Sequence, residues 1–300
     1  MTDTDATPDL IRVTFPDGNT TDLQVHRTAS PDAVVVLCLP AMGVRADYYR
    51  TLARTLTEHG CHAVLADHRG TGRSSVRASR RVSFGYAELL ETELPAVVDS
   101  VCKEFGTDRI ALVGHSLGGQ LGLLFAAVSG RVSHTVLVAS GSSWFRGVPG
   151  IGGAGRLLGL QLILATTLLW GYLPGWFPFA GREARRLVRD WGHEGLTGRY
   201  RVSGSTVDYE AALAGSSVPA LFITFPGDRY VPGACASHLA AKLRSAHVTE
   251  RRISAERLGL SRTDHFRWAA RPQEVVREAV EWLRTTEPAR SRSDLDHERP

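Results

Sequence analysis

Residues 109–127 read RIALVGHSLGGQLGLLFAA. An apolar run rich in β-formers ends at Gly114, Ser116 stands between Gly114 and Gly118, and a helical pattern begins at once. This strand-turn-helix with Gly-x-Ser-x-Gly at its corner is a nucleophile elbow. The spacing has a steric cause. The serine must hold a strained backbone so that its hydroxyl projects above the sheet, and side chains at 114 or 118 would strike neighbouring backbone; Gly119 adds a third small residue. The helix that follows aims free amides and the positive end of its dipole at the same point.

Working outward from the elbow, short β-rich runs at 10–15, 22–27, 34–39, 61–66, 110–114, 134–139, 219–225 and 248–254 alternate with helical patterns at about 46–59, 86–105, 117–129, 234–243 and 272–284. Such alternation predicts an α/β fold whose eight-stranded, mostly parallel sheet is covered by helices on both faces. The first two strands, joined through PDGNT (16–20), read as a hairpin. The alternation stops between 141 and 217. There, an apolar, glycine-punctuated stretch, GVPGIGGAGRLLGLQLILATTLLWGYLPGWFPFAG (147–181), is expected to be a helical lid insertion, with a core helix or a membrane span as rival readings. The expected organisation is a core in two parts, 1–141 and 217–286, an insertion at 142–216, and a polar, disordered tail at 287–300.

A serine hydroxyl is a poor nucleophile at neutral pH and needs a base, and the base needs an orienting acid. On an elbow of this kind the chain order is serine, acid, histidine. The acid is expected after the next-to-last strand, where PALFITFPGDRYVP (219–232) offers Asp228; Asp208, inside the insertion, is a second choice. The histidine is expected between the last strand and the last helix, where only His265 of the eleven histidines lies. His247 opens the strand itself and His115 points sideways at the elbow. Asp264 adjoins His265, but side chains of adjacent residues diverge. Acyl transfer also needs donors for the oxyanion. The expected pair is the amide of Leu117, next to the nucleophile, and that of Met42 in the loop after the third strand, where Gly43 allows a tight turn.

LPAMGVRADYY (39–49), LADHRGTGRSS (65–75), VGHSLGG (113–119), FPGDRYVP (225–232) and DHFRW (264–268) together resemble the α/β-hydrolase superfamily. The likeness is to the bacterial predicted hydrolases of the serine aminopeptidase and monoacylglycerol-lipase-like branch, over about residues 11–283. It implies a serine hydrolase without metal or organic cofactor, with a lid between the sixth strand and the later core. Two departures stand out: Pro40-Ala41 replaces the usual His-Gly of the oxyanion loop, and Asp264 stands where a glycine commonly precedes the histidine.

Composition narrows the partners. With 43% hydrophobic and 22% charged residues, the 300-residue chain can bury a full-sized core, and its net charge of +4 is spread without a like-charge block, which argues against nucleic acid. Cys38, Cys61, Cys102 and Cys235 form no CxxC pair, so no metal site or disulfide framework is expected. The opening MTDTDATPDL is acidic where an export signal is basic, so the expected location is cytoplasmic. Gly150–Gly155 match a dinucleotide fingerprint but follow no strand, and read as a flexible hinge. Asp67 and Arg69 are expected to fix the loop beneath the site. Arg182, Arg185, Arg186 and Arg189 read as a solvated face that could also meet an anionic lipid surface. The expected substrate is a small-molecule carboxylic ester or thioester with an apolar, lipid-like acyl group, bound at a mouth lined by Trp144, Phe145, Trp170, Trp176 and Phe177. An acyltransferase using the same triad, or a noncatalytic binding protein on this scaffold, is the alternative. Oligomeric state is not legible.

Overall fold

The computed structural model describes residues 8–286; the expected tail at 287–300 lies outside them. β1 (Asp9–Thr14) and β2 (Thr20–His26) pair antiparallel, with the Phe15 amide donating to the Asn19 carbonyl at 2.8 Å across the turn. β3 (Val35–Leu39), α1 (Arg50–Glu58), β4 (His62–Leu65), α2 (Tyr86–Glu88), α3 (Leu94–Phe105), β5 (Ile110–His115), α4 (Leu117–Ala126) and β6 (Val132–Val138) follow in alternation. The chain then leaves the sheet for α5 (Ile151–Trp170), the short pair β7 (Tyr172–Leu173) and β8 (Glu183–Ala184), α6 (Arg185–Thr197) and α7 (Tyr209–Gly215). It returns through β9 (Ala220–Thr224), α8 (Gly233–Ala240), β10 (Val248–Arg252) and α9 (Gln273–Thr286).

The sheet order is β1-β2-β4-β3-β5-β6-β9-β10, antiparallel in the first two pairings and parallel in the rest. This is the eight-stranded, mostly parallel sheet that the alternation predicts. Every residue of β3 and of β5 is buried, as central strands covered on both faces require. Their side chains alternate between two apolar layers. Leu37, Leu39, Ile110, Leu112 and Phe222 pack with α3 and α4, whereas Val36, Cys38, Ala111, Val113 and Ile223 pack with α1 and α9. The last strand, VTERR, presents charges at the open edge, which discourages pairing with another chain.

Two expectations change in detail. The helical pattern at 86–105 is one rod interrupted by a π-turn at Leu89–Glu93, where Glu93 turns inward to meet Arg69. The glycines at 152–155, read as a hinge, instead form the first turns of α5: a side chain at Gly153 would collide with the carbonyls of Phe145 and Val148, so glycine lets the helix start tight against the preceding turn.

The loops that matter converge because of the sheet order. β3 is flanked by β4 on one side and β5 on the other, so the loops leaving the carboxyl ends of β3 and β5 depart in opposite directions and leave a crevice between them.

Candidate active site

Ser116 sits in that crevice with φ 52° and ψ −116°, a conformation that costs a non-glycine residue roughly 1–3 kcal/mol. Its surroundings force this shape. A side chain at Gly114 would overlap the backbone of Gly118 and Gly119, and one at Gly118 would overlap the carbonyl oxygens of Leu39 and Pro40. The strand, the loop after β3 and the first turn of α4 are thus pressed together at one corner, with the serine on the cavity side. Leu117 is the first residue of α4, so its amide has no intrahelical acceptor.

Asp228 and His265 come from loops after β9 and β10. The His265 Nδ1–H donates to Asp228 Oδ2 at 2.8 Å, and both side chains are buried. The second carboxylate oxygen of Asp228 accepts from the amides of Tyr230 and Val231 at 2.8 and 2.9 Å. Asp228 therefore caps its own turn with one oxygen and holds the imidazole with the other. With its proton at Nδ1, His265 leaves the Nε2 lone pair available as a base. Asp264 is spent elsewhere: its Oδ1 accepts from the Phe266 and Arg267 amides and its Oδ2 pairs with Arg267. Asp208 caps α7 by accepting from the Ala211 amide at 3.0 Å.

Ser116, Leu117, Met42, Asp228 and His265 all line one cavity of about 1000 Å³. Of the five aromatic residues expected at its mouth, Phe177 lies in the wall. The other four lie elsewhere. Trp144 stacks on His238 with ring centres 4.5 Å apart, Phe145 lies under the Arg146 guanidinium, and Trp170 and Trp176 form an edge-to-face pair on the exposed surface. Hydrophobicity alone could not separate these sites, because an aromatic side chain is equally at home in a wall, under a cation or against another ring.

Several contributors carry no motif. Tyr49 is buried, and its hydroxyl accepts from the Ala41 amide at 3.1 Å while lying 2.6 Å from His115 Nδ1. Burial drives His115 well below the usual imidazole range, so it is neutral and able to accept the phenol proton. His68, which burial brings down to about 4 against the opposing pull of the Pro40 carbonyl and Asp67, donates from Nε2 to that carbonyl at 2.9 Å. The loop carrying Met42 is thereby pinned from both sides, which is the structural answer to Pro40-Ala41 replacing His-Gly. Gly43 follows at φ 71°, where any side chain would overlap the backbone of Ala180.

Asp67 accepts from the Ala46 and Arg73 amides, and Arg69 bridges Asp17 and Glu93; both fix the loop as expected. Burial pushes Glu93 up to about 7 against the pull of Arg69. Gln120, in the first turn of α4, donates to the Gly141 carbonyl at 2.7 Å and accepts from the Tyr200 hydroxyl, forming a polar part of the cavity wall. Arg156 of α5 reaches across to the carbonyls of Arg229 and Tyr230, tying that helix to the Asp228 loop. Among the described residues, no cluster of three or more His, Cys, Asp or Glu is placed to hold a metal ion.

The comparisons with known proteins agree with this architecture. Residues 34–152 match the family model for the alpha/beta hydrolase fold. The putative carbamate hydrolase RutD of Serratia proteamaculans (strain 568) is 23% identical over 279 residues, which cover 88% of this chain and 96% of that protein. Among solved structures, DcsB in complex with its substrate analogue superimposes with a TM-score of 0.66 at 15% identity, covering 94% of this chain and all of that one. Est1E of Butyrivibrio proteoclasticus, bound to ferulic acid, gives 0.65 at 17% identity, covering 92% of this chain and all of that one. Sheet order, elbow and family model converge on one statement: the chain has the α/β-hydrolase fold.

Proposed function

We propose that the protein is a serine hydrolase that cleaves a carboxylic ester or thioester carrying an apolar acyl group. The observation that carries this reading is the elbow serine, held at φ 52° in the wall of the same cavity as the His265–Asp228 pair. In the proposed reaction Ser116 Oγ attacks the carbonyl carbon as its proton passes to His265 Nε2. Asp228 holds the imidazole in the required tautomer and stabilises the imidazolium. The oxyanion is received by the amides of Met42 and Leu117, each worth roughly 3 kcal/mol in the transition state. Collapse expels the alcohol or thiol, which takes the proton from His265. Water then attacks the acyl-enzyme with His265 again as base, and the carboxylic acid leaves.

The segment at 142–216 is proposed as the lid. Leu160, Ile163, Val148 and Phe177 give it a largely apolar face toward the cavity, which suits an acyl chain. The motifs resemble the serine aminopeptidase and monoacylglycerol-lipase-like branch, whereas the matched relative is a putative carbamate hydrolase. Ester, thioester and carbamate cleavage share attack at a carbonyl bonded to a heteroatom, so the machinery is the same and the leaving group differs.

The test is a series of nitrophenyl esters from acetate to palmitate. The expected result is hydrolysis that rises with acyl length and is abolished in Ser116→Ala. A preference for acetate would overturn the acyl-pocket assignment, and undiminished turnover in Ser116→Ala would overturn the triad.

A further inference from the structure

α5 is apolar on two sides. Gly153, Leu160, Ile163 and Thr167 are buried against α6 and the cavity, while the opposite side presents Leu158, Leu162, Leu168 and Leu169 to solvent, the last two 72% and 75% exposed. Trp176, 66% exposed, extends this ridge through its edge-to-face contact with Trp170, 5.5 Å between ring centres. From Leu158 to Leu169 the ridge runs about 16 Å along the helix, and Trp170 with Trp176 lengthens it. The only charge on the helix, Arg156, is turned to the Tyr230 carbonyl. A soluble surface does not normally leave so continuous an apolar strip uncovered.

Within residues 142–207, the stretch that carries the ridge, the exposed charges are of one sign. Between residues 142 and 207 the chain has three carboxylates, Glu183, Asp190 and Glu194, and all three are buried. Asp190 accepts from the amides of Tyr86 and Ser203, and Glu194 from that of Ser143, so their charges face inward. Six of the eight arginines of the same segment, Arg146, Arg182, Arg185, Arg189, Arg199 and Arg201, are exposed, while Arg156 and Arg186 turn to the Tyr230 carbonyl and Glu88. Two cations lie where the helix ends. Arg182 lies over the Tyr172 ring at 5.0 Å, and Arg80 Nε donates to the Trp170 carbonyl at 3.1 Å.

We infer that the outer face of α5, with Trp176, docks onto a lipid bilayer bearing anionic headgroups. Leucine side chains and the tryptophan pair enter the boundary of the acyl region, where an indole finds both apolar and polar surroundings, and the arginine rim meets the headgroups. The helix lies along the surface and does not span it, because its inner side is occupied by α6 and the cavity. The docked face is the reverse of the helix that supplies Gly152, Gly159 and Leu160 to the cavity wall, so a bound bilayer brings acyl chains to within one helix thickness of the cavity that Ser116 lines. Docking itself does not rest on the catalytic reading.

The experiment is flotation of the full chain with vesicles of phosphatidylcholine alone and of phosphatidylcholine containing roughly 30% phosphatidylglycerol. Hydrolysis of soluble nitrophenyl butyrate is followed in parallel. The expected result is binding about tenfold stronger to the anionic vesicles, weakening as salt shortens the screening length. Leu168→Glu with Leu169→Glu should lower that binding at least about tenfold while butyrate hydrolysis is kept. Arg182→Glu with Arg185→Glu should erase the preference for anionic vesicles. Flotation without any ester hydrolysis would support docking and overturn only the catalytic reading. Wild type that hydrolyses butyrate but does not float with anionic vesicles would overturn the inference. So would a dimer, seen by light scattering, that dissociates in the double leucine variant without vesicle binding, since a second copy would then cover the ridge.

Discussion

Replacing Tyr49 by Phe removes one oxygen and leaves the ring. That oxygen accepts from the Ala41 amide and lies 2.6 Å from His115 Nδ1, in a site where Tyr49 is only 3% exposed. Two buried polar groups are then left without their partner. Each such loss costs about 1–3 kcal/mol, so the variant should be less stable by about 2–6 kcal/mol. The kinetic effect follows from position. Ala41 precedes Met42, whose amide is the proposed oxyanion donor, and His115 precedes Ser116. Losing one donor outright costs about 10²–10³ in kcat. A donor that is loosened without being removed should cost less, and a fall of about tenfold to a hundredfold in kcat is expected with KM within about twofold, because the tether acts on the reacting centre and not on the acyl chain. The assay is steady-state hydrolysis of nitrophenyl butyrate beside a urea melt on the same preparation. A variant destabilised as stated but with wild-type kcat would refute the reasoning: Tyr49 would then be a packing residue, and the oxyanion loop would hold its shape by His68 alone.

Asp228→Asn keeps the shape of the acid but replaces its acceptor oxygen, so His265 should adopt the wrong tautomer and kcat should fall by roughly 10³–10⁴, measured on the same ester. Gly118→Ala places a methyl group on the Leu39 and Pro40 carbonyls, and a destabilisation of about 3 kcal/mol or more is expected in denaturant melts, with loss of activity. Burial holds Glu183 up at about 8, against a backbone hydrogen bond from Gly43 that favours the ionised form. Its protonated form is the one suited to the fold, so its contribution to stability is complete at acid pH and drains away as pH rises through about 8. Glu183→Gln should therefore flatten the fall in Tm between about pH 4.5 and about pH 8; an unchanged slope would show that other groups set it.

How much could be read without coordinates depended on how local the cause was. The elbow was legible because its constraint is steric and lies within six residues: Gly114, Gly118 and Gly119 are small because backbone passes beside each of them or the Ser140 side chain does. Asp228 and His265 followed from chain order, and the structure brings them together at 2.8 Å. Tyr49 and His115 are 66 residues apart and carry no pattern, since a buried tyrosine in a helical turn reads as core wherever it lies. Of the five aromatic residues expected at 144–177 only Phe177 falls in the cavity wall, and the other four were hard to place for the opposite reason. Their apolar character was plain, but only Trp170 lies on α5, whose two apolar faces leave no periodicity to mark the inner one, and Trp144, Phe145 and Trp176 lie off α5 where no periodicity applies. The glycines at 152–155 misled in the same way, being small for packing and not for flexibility.

Labelling with a fluorophosphonate, followed by mass mapping of the modified peptide, tests the central claim most directly. The reagent phosphonylates a serine only where a base and an oxyanion site activate it. The account predicts stoichiometric modification of the peptide that contains Ser116, lost in Ser116→Ala and strongly slowed in His265→Ala. Modification elsewhere, or none above the Ser116→Ala background in folded protein, would contradict it.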